Sequence, residues 1–166
     1  MQELRLWLIF FTKYIPGGIG SWLRLRLWKI KSGRRCRIFE GTQINAPWNL
    51  VLGDRVSINR DCTIHAGGKV SIGDDVLIGP KVVIYSQNHV FRSLDLPINE
   101  QGYEFREVVI ENDVWIASGA MIMPGCHIGR GAVVGAGAVV RGEIPEFAVV
   151  LGNPAAVVKY RKEGSV

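Results

Sequence analysis

The chain has 166 residues, 20 of them glycine, and carries a formal net charge of +5, with 20 Lys/Arg against 15 Asp/Glu. This length suits one domain with a core of its own, and aromatic and β-branched residues are not depleted, which argues against disorder. Three cysteines, an odd number without a closely spaced pair, argue against a disulfide framework, and no C-x-x-C or H-E-x-x-H sequence indicates a metal site.

The positive charge is concentrated at the N terminus. Residues 1–37 contain nine Lys/Arg and one acidic residue, whereas residues 38–166 contain eleven Lys/Arg and fourteen acidic residues. The basic character therefore belongs to an N-terminal arm, residues 1–37, and not to the rest of the chain. Since no RNA- or DNA-binding motif accompanies it, we expect no nucleic-acid partner.

The arm has an amphipathic helical pattern with a break in it. Leu4, Trp7, Leu8 and Phe11 have the i, i+3, i+4, i+7 spacing of one helix face, and the sequence IPGGIG interrupts that pattern. No run approaches the ~18 apolar residues that span a bilayer, and residues 6–11 are too few for the apolar core of a secretory signal. Two interpretations stay open. The arm caps the open end of the fold or packs on a neighbouring subunit, or it rests as a peripheral contact on an anionic membrane surface.

A six-residue repeat fills most of the remaining chain. Within each block an aliphatic residue recurs at steps of six, often followed by Gly or Asn and, four positions on, by a small or branched residue. The aliphatic positions are Ile38, Ile44, Leu52, Ile58, Ile64, Ile72, Ile78, Ile84, Ile110, Ile116, Ile122, Ile128, Val134 and Val140. A period of six fits short strands joined by corners, with a positive φ expected at the Gly or Asn. The pattern places the aliphatic and the small residues in the core, including Cys62 and Cys126.

The motif (L/I/V)-G-x-x-(A/V/C)-x occurs about ten times over roughly two-thirds of the chain. With it the chain resembles the hexapeptide-repeat acyltransferases. The resemblance implies an all-β fold, a left-handed parallel β-helix with three hexapeptides per coil over residues 38–150, behind the N-terminal helical arm. It also implies a closing turn and tail over residues 151–166 with a short C-terminal helix, and a homotrimer with active sites between neighbouring subunits.

With three strands per coil, every interruption of the repeat falls at the same corner. The two steps of eight residues and the long break between Ile84 and Ile110 each follow the third strand of a coil. Because the repeat resumes in phase, the segment of about residues 88–107 is an excursion from an intact scaffold. A long excursion from a compact array is usually functional.

The excursion begins with His89. A lone loop histidine is more often solvated or structural than catalytic, but YSQNH…PI…QG…VVIENDVWIASGAMIMPG resembles the sugar and polysaccharide O-acetyltransferase branch of the family, which includes colanic-acid, galactoside and maltose acetyltransferases. The resemblance implies that His89 is the general base and that Asn59, Asp61 and Asn88 contact the acceptor. Asn59 is also explained as a corner residue, and Asn88 as the start of a turn.

The late repeats carry the most specific resemblance. The sequence DVWIASGAMIMPGCHIGRGAVV and the later GNPAAVVKYR resemble the part of the family that binds coenzyme A along the late coils. The implied coenzyme contacts are Trp115, Ser118, Ala136, Arg141 and Lys159. The stacking independently places Ser118 above Ala136, where small residues let an extended chain lie close to the backbone. Many relatives have Thr-Lys where this chain has Arg141-Gly142, so the residue that holds the nucleotide phosphates stays open.

The resemblance implies an acetyl-CoA-dependent O-acetyltransferase, with acetyl-CoA as co-substrate and no metal. The basic, Trp-rich arm suggests a cytoplasmic enzyme at the inner face of the cytoplasmic membrane. The acceptor would be a sugar hydroxyl of a cell-surface polysaccharide or of its lipid-linked precursor. Direct transfer is expected, because no G-x-S-x-G nucleophile motif is present. The alternatives are an N-acetyltransferase of a nucleotide-linked amino sugar and, more remotely, a metal-dependent or non-enzymatic β-helix protein. His65 either lines the acceptor site or only occupies a corner, and His127 is expected at the surface.

Overall fold

The computed structural model describes residues 2–162, with side chains from residue 7 onward. Two helices form the N-terminal part, α1 over Gln2–Lys13 and α2 over Gly17–Leu27. Within these described residues, neither helix has the length and apolar content that crossing a membrane requires.

The rest of the chain winds through three sheets, which are the faces of a β-helix. The first face contains β1 (Lys31–Ser32), β4 (Leu50–Leu52), β7 (Val70–Ile72), β12 (Val108–Ile110), β15 (His127–Ile128) and β18 (Glu143–Ile144). The second contains β2 (Arg37–Ile38), β5 (Ser57–Ile58), β8 (Leu77–Ile78), β13 (Trp115–Ile116), β16 (Val133–Val134), β19 (Ala148–Leu151) and β20 (Ala156–Tyr160). The third contains β3 (Gln43–Asn45), β6 (Thr63–His65), β9 (Val83–Tyr85), β14 (Met121–Ile122) and β17 (Val139–Val140). A hairpin of β10 (Gln87–His89) and β11 (Tyr103–Phe105) and two 3-10 turns, Pro47–Asn49 and Ile98–Glu100, lie between strands of the third and first faces. The all-β, left-handed parallel β-helix expected from the resemblance is confirmed.

Successive coils stack at the register that the repeat predicts. The register partners run Leu52–Ile72–Ile110–Ile128 on the first face, Ile58–Ile78–Ile116–Val134 on the second and Ile64–Ile84–Ile122–Val140 on the third. Every one of these side chains is buried. Full burial of such an aliphatic side chain is worth about 1.5–3 kcal/mol, so these three columns form the main source of stability.

The corners turn through a left-handed residue that lies three positions after the aliphatic residue. φ is +58° at Arg55, +57° at Asp61 and +60° at Asp75, and in the later coils the same position is mostly glycine. The expectation of a positive φ directly after the aliphatic residue, at positions such as Gly53 or Asn59, is therefore wrong. The backbone reverses two positions later, after the chain has left the strand.

The glycine that follows the aliphatic residue instead allows neighbouring coils to approach. A Cβ on Gly53 would lie 2.3 Å from Oδ1 of Asp74, and a Cβ on Gly73 would lie 2.2 Å from Oδ1 of Asn112. These two side chains accept backbone N–H bonds from the coil before them, from Asp54 at 2.7 Å and from Asp74 at 2.8 Å. Only glycine leaves room for this ladder of hydrogen bonds along the corner.

The arm covers the N-terminal end of the β-helix, and a buried arginine holds it there. Arg24 Nε donates to the carbonyl of Ile38 at 2.9 Å, while Nη1 donates to the carbonyls of Thr12 at 2.8 Å and Ile15 at 2.9 Å. The hydroxyl of Ser21 accepts the backbone N–H of Ile38 at 3.0 Å. One guanidinium therefore joins the end of α1, the linker, α2 and the first coil.

The β-helix begins inside the arm. Strand β1 pairs with β4, with Lys31 opposite Val51. Trp28 and Ile30 belong to the buried core, and Nε1 of Trp28 donates to the hydroxyl of Thr12 at 2.8 Å. Residues 1–37 are thus partly helical cover and partly the first strand of the scaffold.

The short helix expected at the C terminus is wrong. Ala156–Tyr160 form β20, which runs antiparallel to Ala148–Leu151 on the second face. The turn between them also closes the third face, because Val139 donates its N–H to Gly152 and accepts the N–H of Ala155, both at 2.9 Å. An exposed last coil offers unpaired backbone groups, and a β-branched Val-Val segment satisfies them better as a strand than as a helix.

The cysteines are buried, as expected for Cys62 and Cys126. The contacts are Cys36 Sγ to the Gly53 carbonyl at 3.0 Å, Cys62 Sγ to the Gly79 carbonyl at 3.2 Å and Cys126 Sγ to the Val140 carbonyl at 3.1 Å. Burial raises the pKa of all three thiols, that of Cys62 to about 11. Because the thiolate is the reactive form, these cysteines are suited to packing and not to nucleophilic catalysis.

We expect Ellman's reagent to leave all three thiols of the native protein unmodified at pH 8. The raised pKa keeps each thiol protonated at that pH, and burial blocks access. In denaturant all three should react at once. Rapid modification of one thiol in the folded protein would contradict this assignment.

Replacing Arg24 with methionine should lower the free energy of unfolding by about 3 kcal/mol, because buried carbonyls lose their donor while the volume is largely kept. Urea denaturation followed by circular dichroism measures the loss. Arg26→Met on the exposed side of the same helix is the matched control and should change stability by less than about 0.5 kcal/mol. Equal stability of the two variants would show that Arg24 does not hold the arm.

Candidate active site

The excursion is a hairpin held to the β-helix at its base. Buried Ser86 donates its hydroxyl to the carbonyl of His65 at 2.8 Å and accepts the N–H of Gly68 at 2.9 Å. The N–H of Arg106 returns to the carbonyl of Ser86 at 2.9 Å. Both ends of the hairpin are therefore fixed to the corner of the preceding coil, and His89 projects from a rigid base.

His89 lies in β10 directly opposite Tyr103 in β11. The two rings are 4.4 Å apart between centroids, at an interplanar angle of 37°. The backbone N–H of His89 donates to Oδ1 of Asn88 at 3.0 Å. Its side chain is exposed, and no ring nitrogen forms a hydrogen bond with another residue in the described range 2–162. Tyr103 thus orients the ring by stacking and leaves both nitrogens available to a ligand.

One side of His89 opens on a cleft of about 360 Å³ between the hairpin and the third face. Its lining residues are His65, Tyr85, Gln87, Asn88, His89, Tyr103, Met123 and Pro124. His65 and Tyr85 are register partners whose ring centroids are 5.0 Å apart. Asn45 Nδ2 lies 3.2 Å from Nδ1 of His65, which leaves Nε2 of His65 free to donate. Two aromatic pairs, His65/Tyr85 and His89/Tyr103, therefore line one cleft, and their faces suit the C–H face of a sugar ring.

The other side of His89 opens on a cleft of about 420 Å³ that contains three arginines, Arg92, Arg106 and Arg141. Glu104 pairs with Arg106 at 2.8 Å and with Arg92 at 3.4 Å, and the hydrogen bond from Arg106 holds the pKa of that carboxyl below its usual range. Arg141 forms no ion pair or side-chain hydrogen bond with another residue of the described part. One ionised carboxylate against three guanidinium groups leaves this cleft positive and suited to an anionic group.

The structure brings two of the predicted site residues to His89 and keeps two others apart. Asn88 lines both clefts, and Arg141 lines the second. Asn59 and Asp61 lie at the corner between the second and third faces, away from the hairpin. The Asn59 side chain accepts the N–H of the next residue at 2.8 Å, so it stabilises its own turn. The assignment of Asn59 and Asp61 as acceptor contacts stays a prediction.

The four other predicted coenzyme contacts lie together, but on the far side of the coil from His89. Trp115 and Lys159 belong to one row of register partners across the second face, joined through Val133 and Val149. The corner beside that face carries the other two, Ser118 and Ala136, in successive coils, as expected. The carbonyl of Ser118 accepts the N–H of the residue after Ala136 at 3.0 Å.

Sequence reasoning missed Met123 and Pro124, which line both clefts. The sequence repeat could have located them, because the stacking of the coils places residues 123–126 at the corner that carries the excursion. Arg141, which is also a predicted coenzyme contact, lies at this same corner, apart from the other four. His127 lies at the surface as expected, with Nε2 2.7 Å from Oε1 of Glu111.

Among the described residues 2–162, no three His, Cys, Asp or Glu side chains come together in a group that could hold a metal ion. The three histidines do not form one cluster. His89 and His65 line a cleft, and His127 pairs with a carboxylate on the first face.

Comparisons with known proteins agree with this architecture. Residues 107–142 match the family model described as "Bacterial transferase hexapeptide (six repeats)". The "Putative colanic acid biosynthesis acetyltransferase WcaF" of Escherichia coli is 33% identical over 139 residues, which are 84% of this chain and 74% of that protein. The "Probable acetyltransferase Rv3034c" of Mycobacterium tuberculosis is 37% identical over 135 residues, but this chain spans only 45% of its length.

A solved structure of galactoside acetyltransferase in complex with coenzyme A superposes with a TM-score of 0.84 at 27% identity, covering 95% of this chain and 78% of that one. The sequence repeat, the stacking of the coils and the similarity to these relatives all lead to one conclusion: the chain belongs to the hexapeptide-repeat acetyltransferase family.

Proposed function

We propose that the protein transfers the acetyl group of acetyl-CoA to a hydroxyl of a sugar, with His89 as the general base. One observation carries this proposal. His89 stands between two clefts, an aromatic one suited to a sugar ring and a positive one suited to an anionic donor, with both ring nitrogens available. The family relatives named as acetyltransferases, and the neighbour solved with coenzyme A, support the donor and the reaction class.

The chemistry needs a base at this point because a sugar hydroxyl is a weak nucleophile at neutral pH. A neutral imidazole nitrogen of His89 accepts the hydroxyl proton as the oxygen attacks the thioester carbon. The C–O bond forms, the carbonyl π electrons move to oxygen, and a backbone N–H at a coil corner stabilises that oxyanion. When the intermediate collapses, the C–S bond breaks and the thiolate takes the proton back from His89. The products are the O-acetyl sugar and free coenzyme A.

Direct transfer fits the residues of the site. The cysteines are buried with raised pKa, and neither cleft is lined by a serine or a cysteine. The proposal is therefore a ternary complex in which hydroxyl and thioester meet at His89, without an acyl-enzyme.

The predicted donor and acceptor contacts lie at two different corners of the β-helix, too far apart to form one site within a single subunit. This separation favours a homotrimer with sites between subunits. His89 and Arg141 lie at the corner of the hairpin, while Asn59, Ser118 and Ala136 lie at the corner between the second and third faces. In a threefold assembly, the second of these corners on one subunit can face the hairpin of the next. The donor contacts along Trp115 and the acceptor contact Asn59 would then come from a neighbouring subunit.

For the acceptor we propose a saccharide of a cell-surface polysaccharide or of its lipid-linked precursor, modified in the cytoplasm at the inner face of the membrane. The E. coli relative is named for polysaccharide biosynthesis, which supports this class of acceptor. Transfer to an amino group would use the same donor site. Comparing acetylation of neutral sugars with that of amino sugars distinguishes the two.

Calorimetric titration of the purified protein with acetyl-CoA should show saturable binding with one site per subunit, because donor binding needs no acceptor. Arg141→Gln should weaken binding by about tenfold if it holds a phosphate through charge-assisted hydrogen bonds. Arg130→Gln is the matched control, because Arg130 is exposed at the corner between the first and second faces of the same late coils. Absence of binding by the unaltered protein would remove the acetyltransferase proposal.

His89→Ala should lower the rate of acetyl transfer by about 10²–10⁴-fold, the usual contribution of a general base. Its affinity for acetyl-CoA should stay unchanged, which separates loss of the base from loss of the fold. The rate is measured as coenzyme A thiol released in the presence of a panel of sugars, with His127→Ala as the control histidine. Near-normal transfer by His89→Ala would refute its role as the base.

A further inference from the structure

The outer side of the N-terminal helices carries large apolar side chains that are exposed to solvent. These are Trp7, Phe10 and Phe11 on α1 and Tyr14 directly after it, each between 56% and 65% exposed. The first three form one cluster, with ring centroids 5.8 Å apart for Trp7 and Phe11 and 5.5 Å apart for Phe10 and Phe11. Monomeric soluble proteins seldom expose such a contiguous patch without a binding role.

The patch cannot be hidden by rotating α1. The opposite side of the helix packs inward through Ile9 and Thr12, and the carbonyl of Thr12 accepts from buried Arg24. The hydroxyl of Thr12 also accepts from Nε1 of Trp28, at 2.8 Å. Turning Trp7 toward the core would break both hydrogen bonds, so the outward direction of the aromatic stripe is fixed by the same contacts that attach the arm.

The second helix repeats this arrangement. Ser21 and Arg24 are buried, whereas Ile19 and Trp22 on the other side are 74% and 58% exposed. Arg26 continues that outer side one turn later, and it is exposed. Both helices therefore present aromatic or aliphatic residues outward, next to basic ones.

Positive charge accompanies these apolar residues, and within the described part of the chain it is not neutralised by acidic side chains. Lys13, Arg26, Lys29 and Lys31 form no ion pair with any acidic residue in the described part of the chain. The arm as a whole carries nine Lys/Arg and one acidic residue, while the rest of the chain has an excess of acid. Two copies of the arm placed face to face would repel each other, whereas an anionic surface would attract the arm.

We propose that the outer side of α1 and α2 docks the protein on an anionic lipid bilayer. Trp7, Phe11 and Trp22 enter the interfacial layer, where aromatic rings are favoured, and the lysines and arginines lie against lipid headgroups. The helices lie in the plane of the membrane, because the 12 residues of α1 extend only about 18 Å, against the roughly 30 Å of a hydrocarbon core. This surface stands independently of the acetyl transfer proposed above.

The test is co-sedimentation of the full-length protein with vesicles of phosphatidylcholine alone and of phosphatidylcholine with phosphatidylglycerol. We expect binding only to the anionic vesicles, and release as the salt concentration rises. The double variant Trp7→Ser/Phe11→Ser should weaken binding at least about tenfold, since two buried rings are lost. Leu94→Ser/Leu96→Ser is the matched control, because those side chains are 99% and 51% exposed on the hairpin, and it should bind as the unaltered protein does.

A second pair of variants tests the charge. Arg26→Gln/Lys29→Gln should weaken binding to anionic vesicles, whereas Lys81→Gln/Arg130→Gln, which removes the same charge from the body of the protein, should not. Lys29 and Lys81 share a positive φ, +58° and +59°, so the backbone cost of substitution is matched. Circular dichroism checks that each variant keeps its fold.

Three results would overturn the proposal. The first is no sedimentation with anionic vesicles at low salt. The second is equal binding to both vesicle types, or full binding by the Trp7/Phe11 variant. The third is an oligomer, without lipid, that dissociates when Trp7 and Phe11 are replaced, which would assign this face to contact between copies of the chain.

Discussion

The structure depends on one backbone constraint, the repeated left-handed residue at each corner. The strands between corners are only two or three residues long on most faces, too short to be stable alone. They are held because each coil donates its N–H groups to the next, and this requires the corners that carry no insertion to turn alike. Arg55 and Asp75 occupy this position in successive coils at φ values of +58° and +60°. Stacking, core and candidate site all follow from that uniform turn.

The two ends of such a scaffold need different solutions. At the N-terminal end the first coil meets α2, and the guanidinium of Arg24 supplies donors to carbonyls from α1, the linker and the first coil. At the C-terminal end the chain reverses and supplies β20 as an antiparallel partner for β19. The N-terminal end is thus covered through hydrogen bonds from a buried guanidinium, and the C-terminal end through backbone pairing with an added strand. Burial of Arg24 is tolerated because most of its donors are used where water is excluded.

The repeat allowed most of the fold to be predicted, down to the register partners of each coil. The period of six is insensitive to tertiary context, because each aliphatic residue points into the same narrow core. The turn residue was misplaced by two positions, since glycine was attributed to backbone strain when Gly53 and Gly73 serve close approach instead. The C-terminal strand was missed because the edge that recruits it exists only once the last coil is folded.

The candidate site was less predictable, because its residues come from corners far apart in sequence. His89 and Asn88 were identifiable from the excursion and its motif, and Arg141 was predicted as a coenzyme contact without its position next to His89. Met123 and Pro124 have no chemical signature, and only their position in the stack brings them to the clefts. Strand pairing across the hairpin makes Tyr103 the partner of His89. The local sequence pattern does not predict this pairing.

The attachment of the hairpin only at its base, through Ser86 at one end and Glu107 and Val108 at the other, has an evolutionary consequence. Because Ile84 and Ile110 remain in phase, residues between them can be inserted, deleted or exchanged without disturbing the coils on either side. Doubling the length of a flexible loop costs only about 0.6 kcal/mol of closure entropy. A chain built this way can change the residues that line its two clefts by altering one exposed segment, while the stacked coils of the scaffold are inherited unchanged.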